Sequence, residues 1–475
     1  MDSSYLFYDI ETTGLNKAFD QVLEFAAIRT DLTLKVIERH QIEVKIRPDV
    51  VPSPLAILTN RISVADLARG LPEYEATQQI HRLMNQPGTI SLGYNTLGFD
   101  DEFLRFSFHR NLLPPYTHQF KNGCCRMDLF PMAVMYWLYK RDVISWPEIE
   151  GKPSLKLEHL NAANRLASGQ SHEALVDVAA TVELARRFHK KKKMWQYLAG
   201  YFDKETDGHR MQDLPLAFQS SAGNHHQALV VSGEYGPAQN YQVPAISIGN
   251  SIPYPNQTLW LRMDLPQLGQ TTADTIADTS WIIRKRMGEP GILLPPQDRY
   301  WRRLGKERNA IFDKNLKWLQ NNADIFQKII TYYQKFRYPF IPALDPDASL
   351  YQTGFYSRAD EKLCRMFHRV PVDQKAGFIA QFSNPVAGTL AQRILYRNYP
   401  QAGSGDFEPD YHQYLNRINP KRQEDALEDY RGVKRTTPRG ALSEIVQLKQ
   451  AGKLDAHQLQ LLEDLEKYII SEFKI

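Results

Sequence analysis

The chain has 475 residues, 43% of them hydrophobic and 24% charged, with a net charge of +4. That is the make-up of a soluble globular protein, long enough for roughly two to four domains, and the charge alone points to no partner. No apolar run approaches bilayer length, and the start Met1-Asp2-Ser3-Ser4 lacks the basic-then-apolar pattern of a secretory signal, so neither a membrane span nor secretion is expected. Cys124, Cys125 and Cys364 form neither a disulfide framework nor a metal-type spacing, and a cytoplasmic protein is expected.

The first predicted element is a strand, from the apolar run Tyr5-Leu6-Phe7-Tyr8, and Asp9-Ile10-Glu11-Thr12-Thr13-Gly14 follows it. Side chains two apart on a strand share a face, so Asp9 and Glu11 stand together at the end of a buried strand. Two carboxylates that close repel unless a cation sits between them, which makes the pair a candidate site for a hard divalent metal such as Mg²⁺. An acidic strand end in solvent is the plainer account of an isolated Asp-x-Glu. Further strands are predicted at 21–29, 42–46 and 90–94, and helices at 101–112, 128–139, 156–166 and 172–188, which together make an α/β region.

Two more acidic motifs lie in that region. Asn95-Thr96-Leu97-Gly98-Phe99-Asp100 puts an acid at a helix start, where Asp100 by itself reads as an N-cap. Asp101 and Glu102 are expected to face solvent in the first turn, where acids favour the helix dipole. The third motif is His172-Glu173-Ala174-Leu175-Val176-Asp177. Five positions turn a helix well off its starting face, so His172 is placed on the loop that enters the helix. Asp177 sits in an apolar stretch, Ala174 to Ala180, where a lone buried carboxylate is costly. His159 shares a helix with Leu157 and Leu160 and reads as structural.

Character changes after Trp195. Short β-like runs at 228–232 and 258–263, separated by Gly, Pro and Asn, predict a small β region with added helices near 266–287 and 307–336. Tyr338-Pro339-Phe340-Ile341-Pro342 reads as a linker, and the pattern beyond about 350 is helical, with Leu461, Leu462, Leu465 and Ile469 on one face. Residues 401–410 read as a flexible loop. Basic stretches at 186–193, 281–286 and 299–303, the last two mixed with Trp and Tyr, suit phosphates and bases of a nucleic-acid strand. A solvated helix end explains the lysine run of the first equally well.

Together the three acidic motifs resemble the DEDD exonuclease superfamily, in its histidine subclass, on a ribonuclease-H-like fold; Glu173 at the relevant position disfavours the tyrosine subclass. The resemblance extends to the bacterial exonuclease I family over almost the whole chain, through Phe25-Ala26-Ala27-Ile28-Arg29-Thr30-Asp31, Gly93-Tyr94-Asn95, Phe99-Asp100-Asp101-Glu102, Pro153-Ser154-Leu155-Lys156-Leu157-Glu158-His159-Leu160, Leu350-Tyr351-Gln352-Thr353-Gly354-Phe355 and Arg393-Ile394-Leu395-Tyr396-Arg397. It is thinnest from about 200 to 340. It implies an α/β ribonuclease-H-like nuclease domain over 1–194, a small β-barrel (Src-homology-3-like) domain with helical additions over 195–343, and an α-helical C-terminal domain over 348–475.

The resemblance further implies that Asp9, Glu11, Asp100 and Asp177 are catalytic and hold two Mg²⁺ ions, with Mn²⁺ as an alternative, and that His172 is the general base. It implies substrate contacts from Glu11, Arg105, Tyr116 and Lys156. Lys156 stands where the family carries Arg; it keeps the charge and loses the bidentate phosphate contact. The implied activity is processive 3′→5′ hydrolysis of single-stranded DNA to 5′-mononucleotides, in DNA repair and recombination, by a monomer. The implied partner, besides the strand, is the acidic, apolar C-terminal tail of single-stranded DNA-binding protein. Tyr136-Trp137-Leu138-Tyr139-Lys140-Arg141 offers aromatics beside cations for it, although core aromatics and helix-end cations describe the same residues. An RNA exonuclease, a proofreading subunit and a non-catalytic strand-binding protein are the alternatives; the long C-terminal half argues against the first two and the full set of acids against the third.

Overall fold

The computed structural model of the chain describes residues 3–169, 173–399 and 408–474. Its N-terminal region is built on a five-stranded sheet of β1 (Ser4–Thr12), β2 (Val22–Thr30), β3 (Val36–Glu43), β4 (Thr89–Leu92) and β5 (Cys125–Arg126), ordered β3-β2-β1-β4-β5. β1, β2 and β3 pair antiparallel, whereas β4 runs parallel to β1 and β5 parallel to β4. β2 is buried at every position, and β3 alternates as an edge strand with one wet face does. β3 ends at Glu43 and so meets the strand predicted at 42–46 only at Ile42 and Glu43.

Six helices accompany this sheet: α1 (Pro54–Asn60), α2 (Glu73–Met84), α3 (Asp100–Arg110), α4 (Leu129–Tyr139), α5 (Leu157–Asn164) and α6 (Ala174–His189). The alternation of β1 sorts them. Tyr5 and Phe7 point into a core shared with α4 and α6, while Leu6, Tyr8 and Ile10 point into a core shared with α2 and α3. Asp9 and Glu11 belong to the Tyr5/Phe7 set, so they emerge on the face that α6 covers.

A small hairpin of β6 (Glu148–Ile149) and β7 (Lys152–Pro153) precedes α5, and α7 (Lys192–Ala199) and α8 (Lys204–Gln212) lead into the β region. There β8 (Leu216–Ser220), β9 (Gly223–Val231), β10 (Gln242–Asn250), β11 (Gln257–Arg262), β12 (Ile282–Arg286) and β13 (Ile292–Leu294) form an antiparallel sheet ordered β12-β11-β10-β9-β13, with β8 also on β9. The helix expected near 266–287 is corrected: only the single turn α9 (Ile276–Thr279) is α-helical, and Ile282 and Ile283 pair with Leu261 and Trp260 of β11. β-branched side chains fit that pleated, half-buried surface better than a helix. α10 (Asp298–Trp301), α11 (Lys306–Asn321) and α12 (Ala323–Lys335) follow, and 336–341 carries no regular structure, as expected of a linker.

The C-terminal region is helical: α13 (Arg358–Arg369), α14 (Val372–Ile379), α15 (Pro385–Asn398), α16 (Glu408–Ile418), α17 (Pro438–Gln450) and α18 (Ala456–Phe473). The loop expected at 401–410 falls largely outside the described residues. The regions share cores. Leu461, Leu462, Leu465 and Ile469 of α18 pack with Ile445 of α17 against Leu23, Ile46, Val51 and Ile57 of the N-terminal region. α4 and α6 share another core with Leu229 and Val231 of β9. No helix among the described residues is long and apolar enough to cross a membrane.

Candidate active site

One carboxylate oxygen from each of Asp9, Glu11 and Asp177 lies within 4.8 Å of the others. Two features of the fold bring them together. β1 presents Asp9 and Glu11 on one face, and α6, which packs on that face, carries Asp177 in its first turn. Asp100 stands beside them at the start of α3, buried, and its Oδ1 accepts the Ile10 N–H at 3.3 Å, between the two β1 acids. The N-cap of α3 is Phe99, so Asp100 does not cap the helix as its position suggested; its carboxylate turns to β1 instead.

The electrostatics follow from crowding. Burial pushes the Asp9 carboxyl well above the usual range, and the charges of Asp100, Glu11, Asp177 and Glu24 add to it. Glu11 is pushed up to about 9 by burial and then by Asp177, Glu24 and Asp100. Asp100 rises to about 8, chiefly by burial, although backbone hydrogen bonds including that from Ile10 oppose the rise. Glu24 is an acid the motif reading missed: it pairs with Glu11 across β1 and β2, and the lone acid in the apolar run Val22-Leu23-Glu24-Phe25 was its only signal. The donor set fits a hard divalent cation. It is all carboxylate oxygen, and the crowded negative charge that adds to these pKa shifts is what such a cation offsets. His172 lies outside the described residues; α6 begins two positions later, at Ala174.

Asp101 and Glu102 correct the expectation that they face solvent. Asp101 is fully buried, 2.6 Å from Arg126, 2.9 Å from Arg105 and 2.8 Å from His118. Despite burial, the Arg126 and then the Arg105 guanidinium, with the hydrogen bond from His118, hold its carboxyl well below the usual range. Glu102 is mostly buried, pairs with Lys17, and accepts from the hydroxyls of Tyr351 at 2.7 Å and Tyr430 at 2.8 Å. The helix-dipole argument did not count cations arriving from other elements.

The remaining expected residues scatter. Arg105 is tied to Asp101 and lies 6.0 Å from the ring of Tyr116, which in turn is 6.4 Å from Phe355, a ring 91% exposed. The Lys156 side chain is 72% exposed and 3.5 Å from Glu158. His159 sits in α5 within 2.7 Å of Ser154 Oγ, a structural contact. Tyr136 and Trp137 are buried: the Tyr136 hydroxyl donates to Phe188 O at 2.8 Å, and Arg141 covers Trp137 at 4.4 Å. Of the basic stretches, Lys285 is buried on Asp207 at 2.7 Å, whereas Trp281 is 58% exposed and Arg284 lies over Phe336 at 4.7 Å. Arg299 lies over Tyr300 at 4.4 Å and Arg303 over Tyr139 at 5.2 Å.

Sheet order and acid cluster together define a metal-dependent exonuclease domain, and a family model described as "Exonuclease" matches residues 6–185. A second, "Exonuclease I C-terminal domain", matches residues 344–471. Exodeoxyribonuclease I of Escherichia coli K12 is 30% identical over 382 residues, covering 75% of this chain and 78% of that protein. That of Haemophilus influenzae Rd is 28% identical over 403 residues, covering 78% and 81%. The crystal structure of E. coli exonuclease I in complex with a dA16 oligonucleotide matches with a TM-score of 0.86 at 25% identity, over 99% of this chain and 100% of that one. The chain belongs to the exodeoxyribonuclease I family of DNA exonucleases.

Proposed function

We propose that this enzyme removes 5′-mononucleotides from the 3′ end of single-stranded DNA, processively, in DNA repair and recombination. The observation that carries the reading is the convergence of Asp9, Glu11 and Asp177 with Asp100 beside them. The E. coli relative bound to dA16 supports a single-stranded substrate. Asp9, Glu11 and Asp177, with Asp100 next to Asp9, would hold divalent cations, two Mg²⁺ per site with Mn²⁺ as the alternative. A cation held there supplies Lewis-acid chemistry, offsetting the charge that builds on a phosphodiester during in-line displacement.

The chain's own groups do the rest. His172 takes the proton of the attacking water, a task its near-neutral ordinary pKa suits. Glu11 also contacts the terminal nucleotide, Lys156 offers its exposed ammonium to a phosphate, and Tyr116 offers a ring face beside the Arg105 guanidinium. Asp101 leaves Arg105 oriented rather than neutral, because Arg126 and His118 share the same carboxylate.

The proposed partner is the C-terminal tail of single-stranded DNA-binding protein, as a similar solved structure described as SSB/Exonuclease I in complex with an inhibitor suggests. Half-buried Tyr139, with Arg303 over its ring at 5.2 Å, offers a cation beside a ring, as an acidic, apolar tail needs; Tyr136, Trp137 and Tyr300 are core. Three free thiols suit a monomer of the cytoplasm. Digestion of end-labelled single-stranded DNA, blunt duplex and RNA, with and without Mg²⁺, tests the activity. Metal-dependent release of 5′-mononucleotides from single-stranded DNA alone is expected; equal digestion of RNA or of the blunt duplex contradicts it.

A further inference from the structure

Asp100 reaches the acid cluster only because the seven residues between β4 and α3, Gly93 to Phe99, follow one path. Two contacts define how close that path runs to β1. A side chain at Gly93 would place its Cβ 2.5 Å from Tyr8 O and 2.2 Å from Thr96 Cγ2, so the loop leaves β4 pressed against the strand that carries Asp9. At the other end the Asp100 carboxylate takes the Ile10 N–H. Between these points the loop has little structure of its own beyond a 3₁₀ turn, Thr96–Gly98, entered through Asn95 at φ 66°.

What holds the middle of the loop is a carboxylate from another element. Asp128, 1% exposed, precedes α4 and caps it by accepting the Phe130 N–H at 2.9 Å. The cap requires only that bond. Asp128 makes two more: Oδ1 also accepts the Asn95 N–H at 2.8 Å, and Oδ2 accepts the Leu97 N–H at 3.0 Å. Its neighbour Leu129 donates its N–H to Gly93 O at 2.9 Å. Burial drives the Asp128 carboxyl up to about 6 while these three N–H groups resist the rise, as donors to a charged acceptor do. No cation of the described residues pairs with it; the acid is spent on backbone.

We propose that Asp128 is a positioning residue for the exonuclease reaction: by clamping Asn95 and Leu97 it sets where Asp100 meets the β1 acids. The inference rests on the reading of Asp100 as a catalytic acid. Asp128 hydrogen-bonds to none of the four acids and reaches the cluster through the loop that carries Asp100, whose carboxyl its charge also helps to raise, so its loss acts through Asp100. The rate of bond cleavage and the affinity for divalent cation should fall, and DNA binding should not.

Three variants separate the possibilities. Asp128→Ala loses all three bonds. Asp128→Asn keeps the shape but turns an amide N–H₂ towards at least one backbone N–H, a donor facing a donor. Asp100→Ala removes the acid itself. With end-labelled single-stranded DNA and Mg²⁺, kcat is expected to fall about 10–100-fold in Asp128→Ala, the range for losing a group that orients a ligand, with an intermediate fall in Asp128→Asn and KM within about 2-fold of wild type. The rise in Tm on adding Mn²⁺, which needs no turnover, is expected to shrink in the same order. Asp128→Asn and Asp128→Ala at wild-type kcat and Mn²⁺ response, with Asp100→Ala inactive, overturn the inference alone. A raised KM at unchanged kcat also overturns it. Asp100→Ala at wild-type turnover overturns the reading of the acid cluster and this inference with it.

Discussion

At the end of β1, Asp9, Glu11 and Asp177 face one another with Asp100 alongside; where the C-terminal helices dock, Asp49, Glu73, Asp345 and Asp347 face Arg47, Arg110, Arg393 and Arg397. The first group is half-buried around a buried Asp100 and the second is buried, yet Asp9, Glu11 and Asp100 shift up while Asp49, Glu73 and Asp347 shift down. In the first, burial and mutual repulsion raise them, Glu11 to about 9 and Asp100 to about 8. In the second, although burial pushes the other way, Arg397 holds Asp49 and Asp347 below the usual carboxylate range. The contrast recurs between neighbours, with Asp100 raised and Asp101, on Arg126, lowered. Residue type and burial do not tell a structural acid from a metal ligand; the supply of cations by the chain does. The second cluster brings its own, whereas among the described residues no cation pairs with Asp9 or Glu11.

The largest effect expected breaks the first cluster. Asp9→Ala or Asp177→Ala should bring cleavage of end-labelled single-stranded DNA to background while circular dichroism shows an intact fold, since the change removes repulsion along with a ligand. Wild-type turnover by folded Asp9→Ala would contradict the account. Next comes the base: His172→Ala should lower turnover about 10²–10⁴-fold with little change in DNA affinity, and the neutral limb of the pH–rate profile should move with it.

The second cluster should answer in stability rather than chemistry. Arg397 lies 2.5 Å from Asp347 and 2.8 Å from Asp49, all three buried. Arg397→Met takes from Asp49 and Asp347 the guanidinium nearest to each, leaving Arg47 and Arg393 at 3.2 Å, and should cost up to about 3–5 kcal/mol in urea unfolding, while the folded fraction keeps its response to divalent cation. Loss of that cation response would show that the clusters are not separable.

A smaller effect comes from two histidines at the same junction. His109 Nε2 donates to Pro346 O at 2.9 Å and His368 Nε2 to Leu112 O at 3.1 Å, and burial lowers each imidazole to about 4. Their folded pKa values lie below the unfolded value of about 6.5, so the unfolded chain binds protons first as the pH falls. The stability they contribute is therefore intact above about pH 6.5 and is lost progressively towards pH 4. Tm measured across that window should fall, and His109→Gln should flatten the fall.

In the first cluster, Asp9 and Glu11 were legible as a pair from their spacing on one strand, whereas Asp100, which alone reads as a cap, and Asp177 joined them only through the resemblance to the exonuclease superfamily. The mixed α/β sheet followed from apolar runs and the C-terminal helices from their spacing. The second cluster was not legible. Asp49 and Arg397 are 348 positions apart, and nothing local in either stretch names the other. Asp101 was misjudged for the same reason, since Arg126 and His118 reach it from beyond its own helix. Glu24 stayed hidden because strand pairing, not spacing, sets it opposite Glu11. The shared cores that join the regions are likewise products of tertiary packing.

The central claim is that the β1 acids, which pair with no cation among the described residues, are placed so that a divalent cation can bind. Thermal unfolding of wild type and Asp9→Asn at pH 7.5, each in EDTA and in Mg²⁺, tests it most directly. The account predicts that in EDTA the Asn variant melts above wild type, because the cost of bringing an acid that is ionised in the unfolded chain into the crowded site is gone, and that Mg²⁺ raises the Tm of wild type but not of the variant. A wild type that melts above Asp9→Asn in EDTA and ignores Mg²⁺ would contradict it.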